Sequence, residues 1–361
     1  MKLARLTLFL FLGLITLGLS ACGGAPPAAT WPGLAADQEA AYLANGAAIY
    51  AVRLSDGKAL WTFSSRSGST FYANPAFTQD GQLLIGSAGN DYALFRLDPK
   101  ASDDLRVTWT FNEARDYWLA SPLVISNLVY APNADGKLYI FDLSLPGDGA
   151  EKLLATVELG GKLWSQPVTD GERLYVAALN HQLHIVDLAT YAVKTIDLGG
   201  ALAGSPAIAD GLLYLGSFAS DIIAIRVADG SVAWTVPAKS RIWGGPLVND
   251  GKLYLGDLDG NFYVIDVADG TVLTSFQANG AIIASPILVQ NDILFVTEQG
   301  AIYSLRPGET TPVSLEKVDG RLYTTPVAVG DTVLVAPFRS ESALLVALDR
   351  DGRVLWSFTP Q

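Results

Sequence analysis

Cysteine and histidine are scarce in this chain. Its 361 residues include one cysteine, Cys22, and two histidines, His181 and His184. A lone cysteine cannot form an internal disulfide, and it gives a redox or thiolate metal site no second sulfur. The histidines are three residues apart at the start of a predicted strand, so we expect His181 in a loop, His184 in the sheet and their side chains on opposite faces. The sequence therefore predicts neither a disulfide nor a metal site.

Positive charge and catalytic motifs are also in short supply. The chain has 24 Lys and Arg against 36 Asp and Glu, a formal net charge of −12, which argues against a broad basic face for nucleic acid. It contains no glycine-rich phosphate loop, no Gly-x-Ser-x-Gly nucleophile elbow and no Cys-x-x-Cys-His haem motif. We therefore predict no catalytic residue and no cofactor.

One short acidic run, residues 257–261, has the alternating carboxylates of a calcium loop. Its glycine, Gly260, comes too early in the run, and the closing glutamate is missing. We therefore interpret the run as a turn between two strands.

The first thirty residues read as a targeting segment. Lys2 and Arg5 give a positive start, and the mostly apolar residues 8–19 are too few for a comfortable transmembrane helix. The run ends in Leu19-Ser20-Ala21-Cys22, which resembles a bacterial lipobox.

The lipobox resemblance implies an exported lipoprotein. Residues 1–21 would be a signal peptide, Cys22 would be diacylated, and residues 22–30 would form a flexible tether. The mature protein would then be anchored to the outer side of a bacterial membrane, in the periplasm or at the cell surface. The alternative is an ordinary secretory signal with a chance cysteine.

Turn residues, in contrast, are abundant and regularly spaced. Twelve of the 35 glycines follow an aspartate, and Asp-Gly is a strong signal for tight hairpin turns. A proline recurs every 39 to 47 residues, at Pro32, Pro75, Pro122, Pro167, Pro206, Pro246, Pro286 and Pro326. A period near forty is typical of propellers and repeat arrays.

Each repeat predicts four strands, A to D. In the unit that begins at Pro246, strand A follows the proline, strand B spans 253–256, strand C spans 262–267 and strand D spans 271–276, because each segment shows alternation or β-branched residues. Eight such units fit between Trp31 and Gln361.

The sequence therefore predicts an all-β, eight-bladed β-propeller over residues 31–361, closed by packing of unit eight against unit one. No convincing amphipathic helix follows residue 31. The alternative is seven blades with residues 31–63 irregular.

A resemblance to the pyrroloquinoline-quinone (PQQ) propeller repeat is carried by residues 225–234, IRVADGSVAW, and by residues 51–61 and 347–356. With the lipobox and the repeat number, the chain resembles the BamB family of outer-membrane-protein assembly lipoproteins. The resemblance implies a non-enzymatic scaffold, expected to be monomeric, that binds a protein or peptide partner in the cell envelope. The alternatives are a small PQQ-dependent dehydrogenase or an oligosaccharide-binding lipoprotein. Such dehydrogenases are usually longer, and many use adjacent cysteines and a calcium ion.

Two sets of tryptophans recur at fixed places in the repeat. The first set lies on D strands and is predicted to pack between blades; it comprises Trp61, Trp109, Trp234 and Trp356. The second set lies in the D-to-A connections, before the blade prolines. In a propeller these connections and the B-to-C loops surround one end of the central channel, which we call the channel mouth.

The channel mouth is predicted to combine aromatic and basic side chains. Three units place an aromatic residue three positions before the proline and a cation five positions before it. The predicted partner-binding surface comprises Lys162, Trp164, Arg241, Trp243, Arg321, Tyr323, Tyr72, Arg115, Trp118 and Arg339, and Phe338, Asp257 and Glu298 are expected beside it. The alternative is that the aromatics plug the channel and the cations pair with nearby acids.

Overall fold

A computed structural model describes residues 31–65, 68–89, 91–306 and 308–360. In this part of the chain, thirty-two strands form eight antiparallel sheets, each built from four consecutive strands. The eight-bladed β-propeller is therefore confirmed. The seven-bladed alternative is wrong, because residues 33–63 form a complete four-stranded blade.

The first four blades contain strands β1 to β16. Their bounds are β1 Gly33–Ala36, β2 Ala40–Asn45, β3 Ala48–Arg53, β4 Ala59–Phe63, β5 Ala76–Phe77, β6 Leu83–Gly86, β7 Leu94–Leu97, β8 Val107–Phe111, β9 Leu123–Ile125, β10 Leu128–Pro132, β11 Lys137–Asp142, β12 Leu153–Glu158, β13 Val168–Thr169, β14 Arg173–Ala177, β15 Gln182–Asp187 and β16 Val193–Asp197.

The last four blades contain strands β17 to β32. Their bounds are β17 Ala207–Ala209, β18 Leu212–Gly216, β19 Asp221–Arg226, β20 Val232–Pro237, β21 Leu247–Asn249, β22 Lys252–Gly256, β23 Asn261–Asp266, β24 Val272–Gln277, β25 Ile287–Val289, β26 Asp292–Val296, β27 Ile302–Leu305, β28 Val313–Ser314, β29 Val327–Val329, β30 Thr332–Val335, β31 Leu345–Leu348 and β32 Val354–Phe358.

Two short 3₁₀ helices, Asp103–Leu105 and Gly149–Lys152, are the helices of the described residues. They lie in the C-to-D connections of blades two and three, which explains why the proline spacing is longer there. No helix in the described ranges is long and apolar enough to cross a bilayer.

Two of the Asp-Gly pairs form the two-residue hairpin turns that their sequence predicts. In the A-to-B turn of blade five, φ is 50° at Asp210 and 76° at Gly211, and in blade six it is 48° at Asp250 and 68° at Gly251. Positive φ at both central positions defines the two-residue turn that matches the twist of antiparallel strands.

The core is divided among the interfaces between blades. Each of eight apolar clusters is shared by two neighbouring blades. One of them joins Leu34 and Leu43 of blade one to Leu334, Leu345 and Phe358 of blade eight. Since every blade is built from four consecutive strands, the ring closes by packing and not by a swapped strand.

Tryptophans on the D strands reach across these interfaces, as predicted. Three indole N–H groups donate to a backbone carbonyl of the next blade: Trp61 to Pro99 at 2.9 Å, Trp234 to Val267 at 3.0 Å and Trp356 to Leu54 at 2.7 Å. Trp109 is buried and packs on Phe141 of blade three, with 5.4 Å between ring centroids. The D-strand tryptophans therefore serve blade packing.

Candidate functional site

The channel mouth is held together by a backbone hydrogen bond that recurs in all seven D-to-A connections of the described chain. The carbonyl five residues before each blade proline accepts from an amide of the following B-to-C loop, with N···O distances of 2.7–3.0 Å. The donor and acceptor pairs are Ala88–Thr70, Ala134–Tyr117, Leu179–Lys162, Phe218–Ala201, Leu258–Arg241, Glu298–Ala281 and Phe338–Arg321. Because the backbone supplies this link in every blade, the side chain at that position is free to vary.

The position four residues before the proline belongs to the core. It always carries a buried apolar side chain: Phe71, Trp118, Leu163, Leu202, Ile242, Ile282 or Leu322. Trp118 is 1% exposed, and its indole N–H donates to the Tyr92 carbonyl at 2.6 Å. This corrects the prediction for Trp118, which cannot contact a partner at the surface because its side chain lies between blades two and three.

The aromatic position, three residues before the proline, is half-buried at the channel mouth. Tyr72, Trp164, Trp243 and Tyr323 all occupy it. Sequence reasoning missed the residue that joins two of them, Trp31, whose ring centroid lies 5.3 Å from that of Trp243 and 5.5 Å from that of Tyr323. Trp31 precedes the first blade, while Trp243 precedes the sixth, so the contact crosses the channel. The aromatics therefore partly plug the channel mouth, as the alternative interpretation expects.

Two of the three cations at the predicted position are paired with acids. Lys162 Nζ lies 3.2 Å from Asp116 Oδ2, and Arg321 Nη1 lies 2.6 Å from Glu298 Oε1. The third, Arg241, is exposed, and no acidic side chain of the described residues pairs with it. Paired and unpaired cations therefore coexist at the channel mouth.

Arg321, Tyr323 and Glu298 form a closed hydrogen-bonded triad. The Tyr323 hydroxyl donates to Glu298 Oε1 at 3.0 Å and accepts from Arg321 Nη1 at 2.9 Å. Burial raises the pKa of the Tyr323 phenol, and the Glu298 carboxylate raises it further. The phenol therefore stays protonated at neutral pH, and the charges of Arg321 and Glu298 offset each other in this sector of the channel mouth.

The other basic residues of the prediction lie at the surface. Arg115 is exposed in the connection that leads to blade three. Arg339 is exposed in the B-to-C loop of blade eight, with its guanidinium 5.2 Å from the centre of the Phe338 ring. Both side chains are accessible to a partner.

Half-buried apolar side chains line the channel mouth from blade four to blade seven. We call them the apolar crescent, and its members are Trp164, Leu179, Phe218, Trp243, Leu258 and Ile283. Phe218 packs on Trp243, with 5.2 Å between ring centroids. Exposed Arg241 lies within the crescent, since its carbonyl accepts from the Leu258 amide at 2.9 Å.

Asp257 was expected beside this surface but is inside the protein. It is 0% exposed, and its carboxylate accepts from the Asp259 and Ser240 amides at 3.0 and 3.1 Å and from the Tyr263 hydroxyl at 2.8 Å. The expected place beside the surface is wrong because the carboxylate is buried and binds its own turn, whereas the interpretation of residues 257–261 as a turn between strands is confirmed.

The two histidines lie where the sequence places them. His181 is an exposed loop residue, and His184 on β15 is 1% exposed, with Nδ1 3.1 Å from Thr195 Oγ1. Within the described ranges, no three His, Cys, Asp or Glu side chains are grouped so that they could hold a metal ion. Cys22 lies outside the described residues.

The fold and the channel mouth together define an eight-bladed propeller of the PQQ-repeat type. Many solved structures share this fold, and two of them illustrate it. The computationally designed Ika8 protein matches with a TM-score of 0.71 and 13% identity over 91% of this chain and 96% of its own. BamB from Moraxella catarrhalis matches with a TM-score of 0.70 and 15% identity over 90% and 96%. Identities this low establish the fold alone.

The family follows from the sequence match. Residues 25–236 and 152–312 match the family model described as outer membrane protein assembly factor BamB. The chain therefore belongs to this family, and the resemblance noted from its repeats is confirmed. No curated protein sequence shows a significant match.

Proposed function

We propose that this protein is a membrane-anchored, non-enzymatic scaffold that binds a protein or peptide partner at the channel mouth and acts in envelope protein assembly. The observation that carries the proposal is Arg241, an exposed cation without an acidic partner among the described residues, set within the apolar crescent. Arg and Trp are the residue types most often found at energetic hot spots of protein interfaces.

The channel mouth suits a peptide segment. An extended chain could cover Trp243 and Leu258 with apolar side chains while a carboxylate pairs with Arg241. Arg321 and Lys162 already pair with Glu298 and Asp116. The main sites of recognition are therefore Arg241 and the crescent, and Tyr72, Arg115 and Arg339 extend the surface.

Anchoring through Cys22 is the second part of the proposal. The lipobox and membership of the BamB family support it. Replacing Cys22 with Ser should abolish acylation and the cleavage that depends on it, so the protein should keep residues 1–21 and carry no acyl mass. An unchanged mature mass and membrane partition would contradict the proposal.

The alternative of a PQQ-dependent dehydrogenase is not favoured by the residues present. Within the described part of the chain, no three His, Cys, Asp or Glu side chains are grouped so that they could hold a metal ion. Mixing the protein with PQQ and calcium and assaying dye reduction tests this alternative directly. Saturable PQQ binding with turnover would overturn the scaffold proposal.

The partner surface can be tested by cross-linking in membranes of the source organism. A photo-reactive amino acid placed at Leu258, beside Arg241, should give a discrete protein adduct. The added change Arg241→Glu should remove most of that adduct, because it reverses the charge beside the cross-linker. The matched control is Arg353→Glu, which makes the same charge change at an exposed position of a C-to-D turn, on the opposite face of the propeller.

Two outcomes would count against the proposed surface. Adducts with glycans in place of protein would favour an oligosaccharide-binding lipoprotein. A protein adduct that survives Arg241→Glu as fully as it survives Arg353→Glu would show that Arg241 does not contribute to partner binding.

A further inference from the structure

The chain joins the propeller at the channel mouth. Trp31 contacts Trp243 and Tyr323, and the Pro32 carbonyl accepts a hydrogen bond from the Thr324 hydroxyl. Strand β1 begins directly afterwards, at Gly33. The propeller therefore begins, at Trp31 and Pro32, near the channel axis on this face, and not at the rim or the opposite face.

The segment between the proposed lipid and Trp31 is short. Cys22 and Trp31 are nine residues apart. A fully extended chain of that length spans at most about 31 Å, and a flexible one averages about 17 Å between its ends.

The path from the channel mouth to the opposite face is longer than that reach. Crossing a four-stranded blade from its inner to its outer strand covers about 14 Å, since neighbouring strands lie about 4.8 Å apart. Descending an outer strand such as the six-residue Val232–Pro237 adds about 20 Å. The radius of the channel lengthens the path further. A tether of nine residues therefore cannot pass around the propeller to let the opposite face lie on the membrane.

We infer that the channel mouth faces the membrane that holds the lipid on Cys22, within about 31 Å of its surface. This inference rests on the proposed acylation. A partner that binds Arg241 and the apolar crescent must then enter the gap between the propeller and the bilayer. The opposite face, with its hairpin turns, cannot lie on that membrane.

The orientation can be measured by energy transfer from two matched labelled sites. Ala219 in the B-to-C loop and Ser231 in the C-to-D turn are both exposed and both in blade five, on opposite faces. Apart from Cys22 the chain has no cysteine, so Ala219→Cys and Ser231→Cys each provide a unique thiol for a donor dye on the acylated protein. The acceptor is a rhodamine headgroup lipid in phosphatidylcholine vesicles, which carry no net charge.

We expect energy transfer from position 219 to be at least about twofold that from position 231, because the reach of the tether holds the channel mouth on the membrane side. Inserting twenty Gly and Ser residues between Thr30 and Trp31 should bring the two values together, since the tether could then extend to about 100 Å.

The outcomes separate this inference from the proposed function. Protein that fails to float with the vesicles and carries no acyl mass would overturn both acylation and orientation. Acylated, floating protein with equal transfer from both positions, or greater transfer from 231, would overturn the orientation alone. A difference that persists with the lengthened tether would also overturn it, because something other than tether length would then orient the propeller.

Discussion

Single side chains that precede the blade prolines differ in function when their positions differ by one residue. Trp118 and Trp164 both precede a blade proline, yet Trp118 occupies the buried position and Trp164 the half-buried one. The apolar residue found four positions before all seven of these prolines was a usable sequence signal for this distinction. Trp31 gave no such signal, because its contact with Trp243 crosses the channel and depends on closure of the whole ring.

His184 is a buried residue whose ionisation should affect stability. Burial lowers its pKa below the usual value, because the imidazolium form would lose its hydration. The unfolded chain therefore binds the proton first, and stability that is present above pH of about 6.5 is lost as the pH falls through and below that value. The loss can reach about 1.4 kcal/mol per pH unit.

The variant His184→Gln should flatten the dependence of unfolding free energy on pH between about 7.5 and 5. Urea unfolding at several pH values would measure this slope. His181→Gln, at an exposed loop position, is the matched control for replacing a histidine by glutamine. Equal slopes for His184→Gln and the unsubstituted protein would show that His184 does not contribute to the acid sensitivity.

Strands and turns were the most predictable level of the structure. At most of their ends, the bounds predicted for strands B, C and D of blade six differ by one residue from the observed bounds of β22 to β24. This agreement has a local cause, because Asp-Gly pairs fix the turns and alternation fixes the faces of the strands. Asp257 shows where local reasoning fails, since the sequence of a turn does not reveal whether its carboxylate points to solvent or binds its own backbone.

The turn glycine and the D-strand tryptophan form a coupled element. Gly270 has φ of 78°, and a Cβ there would lie 2.9 Å from the Trp234 ring of the preceding blade. Gly251 has φ of 68°, but a Cβ there would have no neighbour within 4 Å. At either position, a side chain would strain the backbone because φ is positive. Only at position 270 would the added Cβ also overlap the Trp234 ring.

We therefore expect Gly251→Ala to lower the unfolding free energy by about 1–2 kcal/mol and Gly270→Ala to lower it by about 1–3 kcal/mol more, as in other overpacked sites. Chemical denaturation of both variants measures the difference. Equal losses would mean that the Trp234 ring moves aside at little cost and that the glycine serves the turn alone.

The propeller as a whole depends on nearest-neighbour contacts between blades. Each apolar cluster is shared by two adjacent blades, so the ring has eight comparable interfaces. Seven of them join blades that are consecutive in the chain. The interface between blades eight and one has no direct chain connection, since β32 ends at Phe358 and β1 begins at Gly33. Its contacts alone keep the ring closed.

Two tryptophans allow the closing interface to be compared with an internal one. Trp356 and Trp234 are both half-buried, both donate to a carbonyl of the next blade, and both lie against its turn glycine. Truncating either to Ala removes the same local interactions, at a cost of about 2 kcal/mol or more. Only Trp356→Ala weakens an interface that no chain connection supports.

We therefore expect faster hydrogen exchange confined to blades one and eight in Trp356→Ala, because these blades can separate without global unfolding. Trp234→Ala should lower global stability without comparable local opening of blades five and six, because residues 238–246 keep these blades joined. Hydrogen exchange read by mass spectrometry resolves the two patterns. Local opening of equal size at both interfaces would show that the chain connection contributes nothing to blade contact. It would also contradict the expectation that the interface between blades eight and one is weaker than an internal interface.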